Sequence, residues 1–286
     1  MRSPQQALLT LLHRARTLDE DRLMLLACLL RTQLLGAKAP FYDFLMVNGR
    51  LWSFSLSHDL HKLAADGWLA IRHGRVAAGP LLTGASRQDI AGWSLAGTLP
   101  QWWRSMRRLG SAALRARLAG SRPEAAAQPK RAAARDAPAV MTAGYQGMSL
   151  EAFLGRLLHA RVALLIDVRA NPTARRFGFH RSTLARCCQA VGIRYEHVPD
   201  LGIGTVERRD QTTPAQRSRL FRSYVRTVVA HHSSALATVT ARMRDAPCVL
   251  VCLEADPMDC HRTHLGRLIA GTLARPLIDL GGVPGT

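Results

Sequence analysis

Lysine is almost absent from this chain, and acidic residues and long apolar runs are scarce as well. Lys38, Lys62 and Lys130 are the only lysines, so arginine supplies nearly all of the positive charge. The shortage of Asp and Glu leaves a formal net charge of +19, which favours polyanionic partners, DNA before RNA. A GC-rich genome, which enriches both Arg and Ala, is the alternative explanation of this composition. No apolar run approaches the roughly 20 residues that a membrane-spanning helix needs, so no membrane partner is expected.

Cysteine is sparse too. The six residues are irregularly spaced and do not form a disulfide framework, and the N-terminal region lacks the long apolar stretch of a signal peptide. A cytoplasmic protein is therefore expected. A metal site is conceivable from Cys252, Cys260, His261 and His264, and Cys260 and His264 lie four residues apart on a helix, but the sequence has no second, conventional ligand pair. We therefore predict no metal and assign no cofactor.

Composition and pattern divide the chain into four parts. Residues 1–79 are predicted to form a winged-helix domain, residues 80–109 a helical extension, residues 110–138 a flexible basic Arg/Ala linker, and residues 139–286 an α/β domain. The linker has little apolar surface to bury, so limited proteolysis is expected to cut within it. Trp93, Trp102 and Trp103 indicate that the extension before it is packed.

The first part alternates helical patterns with one short hairpin. Helices are predicted over residues 5–15 and 55–66, and a further helix between them starts at a capping box of Thr17 and Glu20, includes the apolar run 23–30 and ends at Gly36. Strands over 68–72 and 75–78 are joined by His73 and Gly74, a hairpin signal. Helices followed by a hairpin are typical of a winged helix-turn-helix.

The same segment resembles a bacterial winged-helix family. The resemblance is carried by Phe41-Tyr42-Asp43-Phe44, Gly49, Ser53-Phe54-Ser55-Leu56 and the Leu-x-x-Leu-x-x-Asp-Gly run of residues 60–67. It implies that residues 55–65 are a recognition-type helix. That helix carries little Arg or Lys beyond Lys62, so a protein-interaction role stands beside DNA contact as the alternative.

From residue 139 onward, strands alternate with helices. Strands are predicted over residues 140–145, 163–168, 194–198 and 248–253, of which 163–168 and 248–253 are almost entirely apolar. Helices are predicted over residues 149–158, 181–191, 214–231, 233–244 and 260–274. Near-continuous apolar strands between helices are typical of a covered parallel sheet. We therefore predict an α/β fold, a three-layer sandwich with a mostly parallel sheet.

Polar side chains follow several of these strands. Ligands in open α/β sheets bind beyond the carboxyl ends of the strands. We expect one pocket at that edge, with catalytic Cys260, His261 and Asp167 and with substrate-binding Tyr145, Arg169, Arg176, Cys252, Glu254 and Arg262.

Five motifs in this part resemble the bacterial family catalogued as domain of unknown function 488. They are Thr142-Ala-Gly144-Tyr145, Asp167-Val-Arg169-Ala-Asn-Pro172, Gly178-Phe179, Tyr195-Glu-His197-Val-Pro199-Asp-Leu201-Gly202, and Cys252-Leu-Glu254-Ala-Asp-Pro257-Met-Asp-Cys260-His261-Arg262. The resemblance spans about residues 142–280 and implies a fold and a site rather than a reaction. Ala174 departs from the pattern, in which a Ser hydroxyl is expected.

Each candidate residue has a chemical and a structural interpretation. Cys260 near a helix N-terminus, beside Arg262 and His261, is the expected reactive thiol, against the alternative of an inert buried cysteine. His261 is either an acid/base group or a cap of its own helix. Three arginines, Arg169, Arg176 and Arg262, either clamp an anion or pair with Asp167 and Glu254. Asp167 is either a catalytic base or the partner of Arg169.

These observations favour an enzyme acting on a nucleic acid or nucleotide at a Cys-His-Arg site, recruited or regulated by the winged helix. The alternative is a non-enzymatic DNA-binding regulator whose α/β domain senses a small anionic ligand.

Overall fold

The computed structural model describes residues 3–36, 39–86, 89, 95, 97–120, 138–204 and 213–281. The chain divides into two compact units, Met1–Gln128 and Pro129–Thr286. In the described residues, no helix is long and apolar enough to cross a lipid bilayer.

The N-terminal unit combines helices with short antiparallel strands. Its elements are α1 (Ser3–Ala15), β1 (Thr17–Asp19), α2 (Glu20–Leu30) with a π-helical continuation (Arg31–Leu35), β2 (Leu45–Val47), β3 (Arg50–Trp52), α3 (Phe54–Ala65), β4 (Leu69–Arg72), β5 (Arg75–Ala78), α4 (Pro80–Gly84), α5 (Leu99–Met106) and α6 (Ser111–Gly120). Strands β1, β5 and β4 form an antiparallel sheet in that order, and β2 and β3 form a separate hairpin.

Helix α2 is the centre of this unit because the eight residues from Leu23 to Leu30 are all buried. A helix that is apolar around its whole circumference is stable only when other elements cover every side. Helix α6 contributes Leu114 and Leu118, both buried, and α5 contributes Trp102, whose indole N–H donates to Gln33 at 2.8 Å. Most of the residues in the core of this unit are leucines, whose burial stabilises it.

Three expectations differ from the structure here. Thr17 lies in β1 rather than capping α2, which begins after Asp19 without a side-chain cap, because the chain pairs with β5 at this point. The β2–β3 hairpin was missed, although Asn48 and Gly49 have the positive φ angles of a tight hairpin turn. The predicted linker begins as helix α6; residues 121–137 and Trp93 lie outside the described residues.

The C-terminal unit alternates strands and helices. Its elements are β6 (Val140–Gly144), α7 (Leu150–His159), β7 (Leu164–Asp167), α8 (Arg181–Ala190), β8 (Arg194–His197), a 3-10 turn (Pro199–Leu201), α9 (Pro214–His231), α10 (Ser233–Asp245), β9 (Cys248–Cys252), a second 3-10 turn (Pro257–Asp259), α11 (His261–Leu273) and β10 (Leu277–Asp279). Ser149 caps α7 by accepting from the amide of Ala152, as its position before the apolar run predicts.

The five strands form one sheet in the order β10-β6-β9-β7-β8, and every neighbouring pair is parallel. This confirms the predicted α/β class with a parallel sheet. Residues such as Val140, Ile166 and Leu250 pack on one side against α9, α10 and α11. On the alternate side of the strands, Phe153 of α7 lies against Tyr145, with ring centroids 6.3 Å apart.

Because all five strands are parallel, their carboxyl ends meet at one edge of the sheet. Gly144, Asp167, His197, Cys252 and Asp279 are the last residues of the five strands. The sequence predicts four of these ends. Strand β10 was missed because it is only three residues long and half-buried.

Candidate functional site

The carboxyl edge of the sheet carries two connected sets of polar side chains. The first, the aspartate–arginine network, consists of Asp167, Arg169, Tyr145 and Tyr195. The second, the thiol–imidazole cluster, consists of Cys252, Glu254, Cys260 and His261. The two are linked through the backbone of Val168, whose carbonyl contacts the His261 ring.

Asp167 and Arg169 form a bidentate ion pair in the interior of the unit. Arg169 Nε donates to Asp167 Oδ1 at 2.8 Å, and Nη2 donates to Oδ2 at 2.6 Å. Arg169 Nη1 also donates to the Tyr145 hydroxyl at 2.6 Å and to the Phe179 carbonyl at 2.9 Å. The Tyr195 hydroxyl donates to Asp167 Oδ2 at 2.6 Å. Parallel N–H···O bonds of this kind are among the strongest that proteins form.

Both members of the pair are fully engaged. Each carboxylate oxygen of Asp167 accepts two hydrogen bonds, because the amide of Arg169 also donates to Oδ1. Burial alone would lower the pKa of Arg169, but the hydrogen bonds and charge of Asp167 raise it above its usual value. The sequence left two interpretations of Asp167 and Arg169 open: a base and an anion clamp, or partners of each other. Their contacts are those of a buried ion pair.

The thiol–imidazole cluster is the chemically distinctive part of the edge. Cys252, Cys260 and His261 are buried, and their ligand atoms all lie within 4.8 Å of one another. His261 Nδ1 is 3.7 Å from the Cys252 sulfur and 4.0 Å from the Cys260 sulfur. Glu254 Oε2 accepts from both thiols, at 3.1 Å from Cys252 and 2.9 Å from Cys260. Glu254 itself is half-buried, so its carboxylate connects the buried sulfurs with the surface.

The orientation of the His261 ring follows from one backbone contact. Nε2 lies 3.0 Å from the carbonyl oxygen of Val168, which can only accept, so Nε2 carries the proton. In the neutral ring, Nδ1 then presents its lone pair to the two sulfurs. The Tyr224 ring covers His261 edge-on, with centroids 5.4 Å apart.

The two thiols of the cluster differ in acidity. The hydrogen bond from the Cys260 thiol lowers the pKa of Cys252 well below that of an ordinary thiol. Burial raises this pKa, and the neighbouring His261 lowers it further. Burial, together with the Cys252 sulfur and the Glu254 carboxylate, raises the pKa of Cys260. His261 Nδ1 also lies nearer to the Cys252 sulfur, at 3.7 Å, than to the Cys260 sulfur, at 4.0 Å. Burial raises the pKa of Cys187 to about 11 and that of Cys188 to about 12.

Arg262 holds the loop that carries Glu254. Its buried guanidinium donates to the Glu254 carbonyl at 2.6 Å and lies 3.2 Å from Asp279 at the end of β10. Burial would lower the pKa of Arg262, but the charges of Cys260 and Asp279 raise it. Gly144 makes this approach possible, since a Cβ built there would lie 1.8 Å from the Glu254 carbonyl oxygen.

The predicted site residues are thus brought together with one difference. Tyr145, Asp167, Arg169, Cys252, Glu254, Cys260, His261 and Arg262 all contribute to the two sets or to the contact that joins them. Arg176 is exposed on the loop between β7 and α8. Cys260 is the N-cap residue of α11, as predicted from its place before the helix.

Sequence reasoning gave no role to three partners. Tyr195 and His197 stand in the Tyr-x-His motif, and His197 Nε2 contacts the Arg169 carbonyl at 2.8 Å. That motif could have identified both. Asp279, which also accepts from Thr142 at 2.6 Å, belongs to the strand that was missed.

The sequence was compared with models of known protein families. Residues 149–269 match domain of unknown function DUF488. The resemblance noted from the motifs is thereby confirmed. The DUF488 match covers less than half of the chain, but it contains Asp167, Arg169 and the whole thiol–imidazole cluster. Tyr145 and Asp279 lie outside it. No match to a curated protein or to a solved structure was found.

Proposed function

We propose that this chain is an enzyme directed at nucleic acids or nucleotides, with its chemistry at the thiol–imidazole cluster. The observation that carries the proposal is the convergence of two thiols, a lone-pair imidazole nitrogen and a carboxylate at the carboxyl edge of the sheet. Buried cysteines usually serve as small apolar residues and need no such neighbours. Nucleophilic catalysis by a thiol needs a base beside the sulfur and a third group that orients the base. Here His261 is the base, and the Val168 carbonyl orients it.

The roles follow from the contacts. His261 Nδ1, fixed by the Val168 carbonyl, accepts a proton from a cluster thiol, and Glu254 relays protons between the thiols and the surface. Cys252, whose sulfur lies nearer to His261 Nδ1, supplies the nucleophile once its proton has passed to that nitrogen. Arg262 and Gly144 position Glu254, and the aspartate–arginine network orders the neighbouring loop.

The alternative, a regulator that senses a small anion through its arginines, is less well supported. Arg169 and Arg262 are both engaged by carboxylates and carbonyls. An anion would have to displace those partners in a buried setting, which is costly. The cluster chemistry therefore carries the proposal.

The proposal predicts turnover that depends on the cluster thiols. Full-length protein incubated with duplex DNA, single-stranded DNA, RNA and nucleotides is expected to change the mass of at least one of them. Cys252→Ser is expected to lower the rate about 100-fold or more, the usual effect of removing a group that takes part in chemistry. Liquid chromatography with mass spectrometry measures both.

Cys187→Ser is the matched control, since Cys187 is equally buried but lies on α8, outside the cluster. It should leave the rate within about twofold of wild type. If no substrate of this class changes mass, or if Cys252→Ser turns over as fast as wild type, the enzyme proposal is wrong. A nucleotide that binds and is recovered unchanged would favour the regulator.

We further propose that the N-terminal unit binds duplex DNA as a winged helix. Helix α3 is followed by the β4–β5 hairpin, and β1 joins this hairpin in an antiparallel sheet. Lys62 on α3 and Arg72 and Arg75 at the hairpin tip are exposed. In such modules the helix enters the major groove and the hairpin contacts the phosphates.

DNA binding of the full chain is therefore expected to weaken steeply with salt. Lys62→Glu together with Arg72→Glu should weaken binding about tenfold or more and flatten the salt dependence, because two phosphate contacts are replaced by repulsion. Fluorescence anisotropy with a labelled duplex at low and moderate salt measures this. Arg104→Glu with Arg108→Glu, both exposed, makes the same charge change away from the helix–hairpin pair. Equal weakening by both double variants would show that net charge, rather than a winged helix, accounts for binding.

A further inference from the structure

We propose that the thiol–imidazole cluster is a binding site for one divalent transition-metal ion, with zinc as the ion to be tested. The ligands are the sulfurs of Cys252 and Cys260 and Nδ1 of His261, with the fourth position left to Glu254 after a side-chain rotation or to a water molecule. This inference deepens the proposed function and rests on it only for the suggestion that the ion takes part in the reaction. In the metal-loaded protein the ion would take the Nδ1 lone pair and both sulfurs, so the ion rather than His261 would keep the thiols deprotonated. The site itself is argued from geometry.

The separations of the donor atoms suit a tetrahedral site. Zinc bonds of about 2.3 Å to sulfur and about 2.0 Å to nitrogen place tetrahedral ligand atoms roughly 3.5–3.8 Å apart. His261 Nδ1 lies 3.7 Å from the Cys252 sulfur and 4.0 Å from the Cys260 sulfur. Small side-chain shifts therefore complete three ligand positions without moving the backbone.

Glu254 lies beside the two sulfurs but outside the group of three ligand atoms, so its carboxylate would have to turn toward the ion to take the fourth position. Its Oε2 contacts both sulfurs, at 3.1 Å and 2.9 Å, from the side of the cluster that reaches the surface. In the metal-free form each thiol proton bridges a sulfur and this oxygen. A cation replaces those two protons, so that two thiolates and one carboxylate surround a positive charge instead of repelling one another.

His261 has the second contact that is typical of a histidine ligand. Metal-bound histidines almost always donate their other ring N–H to a carbonyl or carboxylate, which fixes the ring and its tautomer. His261 makes this bond to Val168. The arrangement is already present in the described residues, so binding requires little reorganisation of the ring.

The donor set selects the class of ion. Two sulfurs and one imidazole suit zinc and similar transition metals, whereas magnesium and calcium prefer oxygen ligands. His264, which lies i+4 from Cys260, is not part of the group, because its ring stacks on Phe221 with centroids 4.5 Å apart. Of the four residues that the sequence offers as ligands, the structure groups Cys252, Cys260 and His261 and leaves out His264. A bound ion with an exchangeable carboxylate would supply a Lewis acid at the sheet edge.

The test uses full-length protein purified without chelators, with metal content measured by plasma mass spectrometry. We expect about one zinc ion per chain, and release of about two protons when chelated protein is reloaded with zinc. Cobalt added in place of zinc should give the visible bands of a tetrahedral site with sulfur ligands. Cys252→Ser and Cys260→Ser should each lower the metal content about tenfold, and Cys187→Ser should not change it.

The wild-type cobalt spectrum and proton release need no variant, so they decide the question even if a serine variant misfolds. A chain that binds no zinc at micromolar concentrations, or whose cobalt spectrum lacks sulfur charge-transfer bands, would overturn the inference. Isolation of a Cys252–Cys260 disulfide as the only stable form would overturn it too. Metal binding without turnover would leave this site standing and refute the proposed enzyme. Turnover that is unchanged in chelated protein would leave the enzyme standing and refute a part for the ion in the reaction.

Discussion

Replacing Asp167 with alanine is expected to lower the free energy of unfolding of the C-terminal unit by about 3–5 kcal/mol. The substitution leaves the guanidinium of Arg169 buried without its bidentate partner and removes the acceptor of the Tyr195 hydroxyl. An uncompensated buried charge is far more costly than a buried pair is stabilising. Hydrogen exchange of peptides from β7 and β9 under native conditions measures the loss.

The chain offers internal controls for this experiment. All five tryptophans lie in residues 1–128, so tryptophan fluorescence reports the N-terminal unit and should not change. Asp200→Ala, at an exposed position, should alter the stability by less than about 0.5 kcal/mol. The double variant Asp167→Leu with Arg169→Met should regain at least half of the loss, because neither charge remains. Strictly additive effects of the two substitutions would contradict a coupled ion pair.

Gly144→Ala is expected to cost about 3 kcal/mol and to disorganise the thiol–imidazole cluster. Its Cβ would lie 1.8 Å from the Glu254 carbonyl oxygen and 3.0 Å from the Arg262 guanidinium. Because both neighbours are held in the sheet edge, relief requires the loop after β9 to move away. That movement would expose Cys252 and Cys260, so thiol labelling of these two residues should rise along with hydrogen exchange in the loop.

Gly155→Ala is the matched control. Gly155 lies inside α7, and a Cβ there meets nothing within 4 Å. This substitution should be neutral or stabilising by up to about 1 kcal/mol, since alanine favours helix more than glycine does. Unchanged labelling of Cys252 and Cys260 in Gly144→Ala would show that the loop does not depend on the close approach.

The periodicity of apolar residues was enough to predict the strands and helices of the C-terminal unit. Each of β6, β7 and β9 is a short apolar run between helical patterns, and such runs form only when both faces of the strand are covered. The parallel sheet follows from this alternation, and so does the gathering of polar residues at its carboxyl edge. Strands β2, β3 and β10 were not predicted. Each is only three residues long, which is too short for an alternation of apolar and polar residues to be recognised.

The sequence by itself determined the α/β class, the place of the site at one sheet edge and the residues Cys252, Glu254, Cys260 and His261. Their local surroundings, a strand end and a helix start, are set by neighbouring residues in the chain. Only the tertiary structure decided which partner each polar group received. Arg262 meets Asp279 because β10 pairs with β6, and His261 turns its lone pair toward the sulfurs because Val168 lies beside it in space. Those partners depend on long-range strand register and packing, which no local pattern encodes.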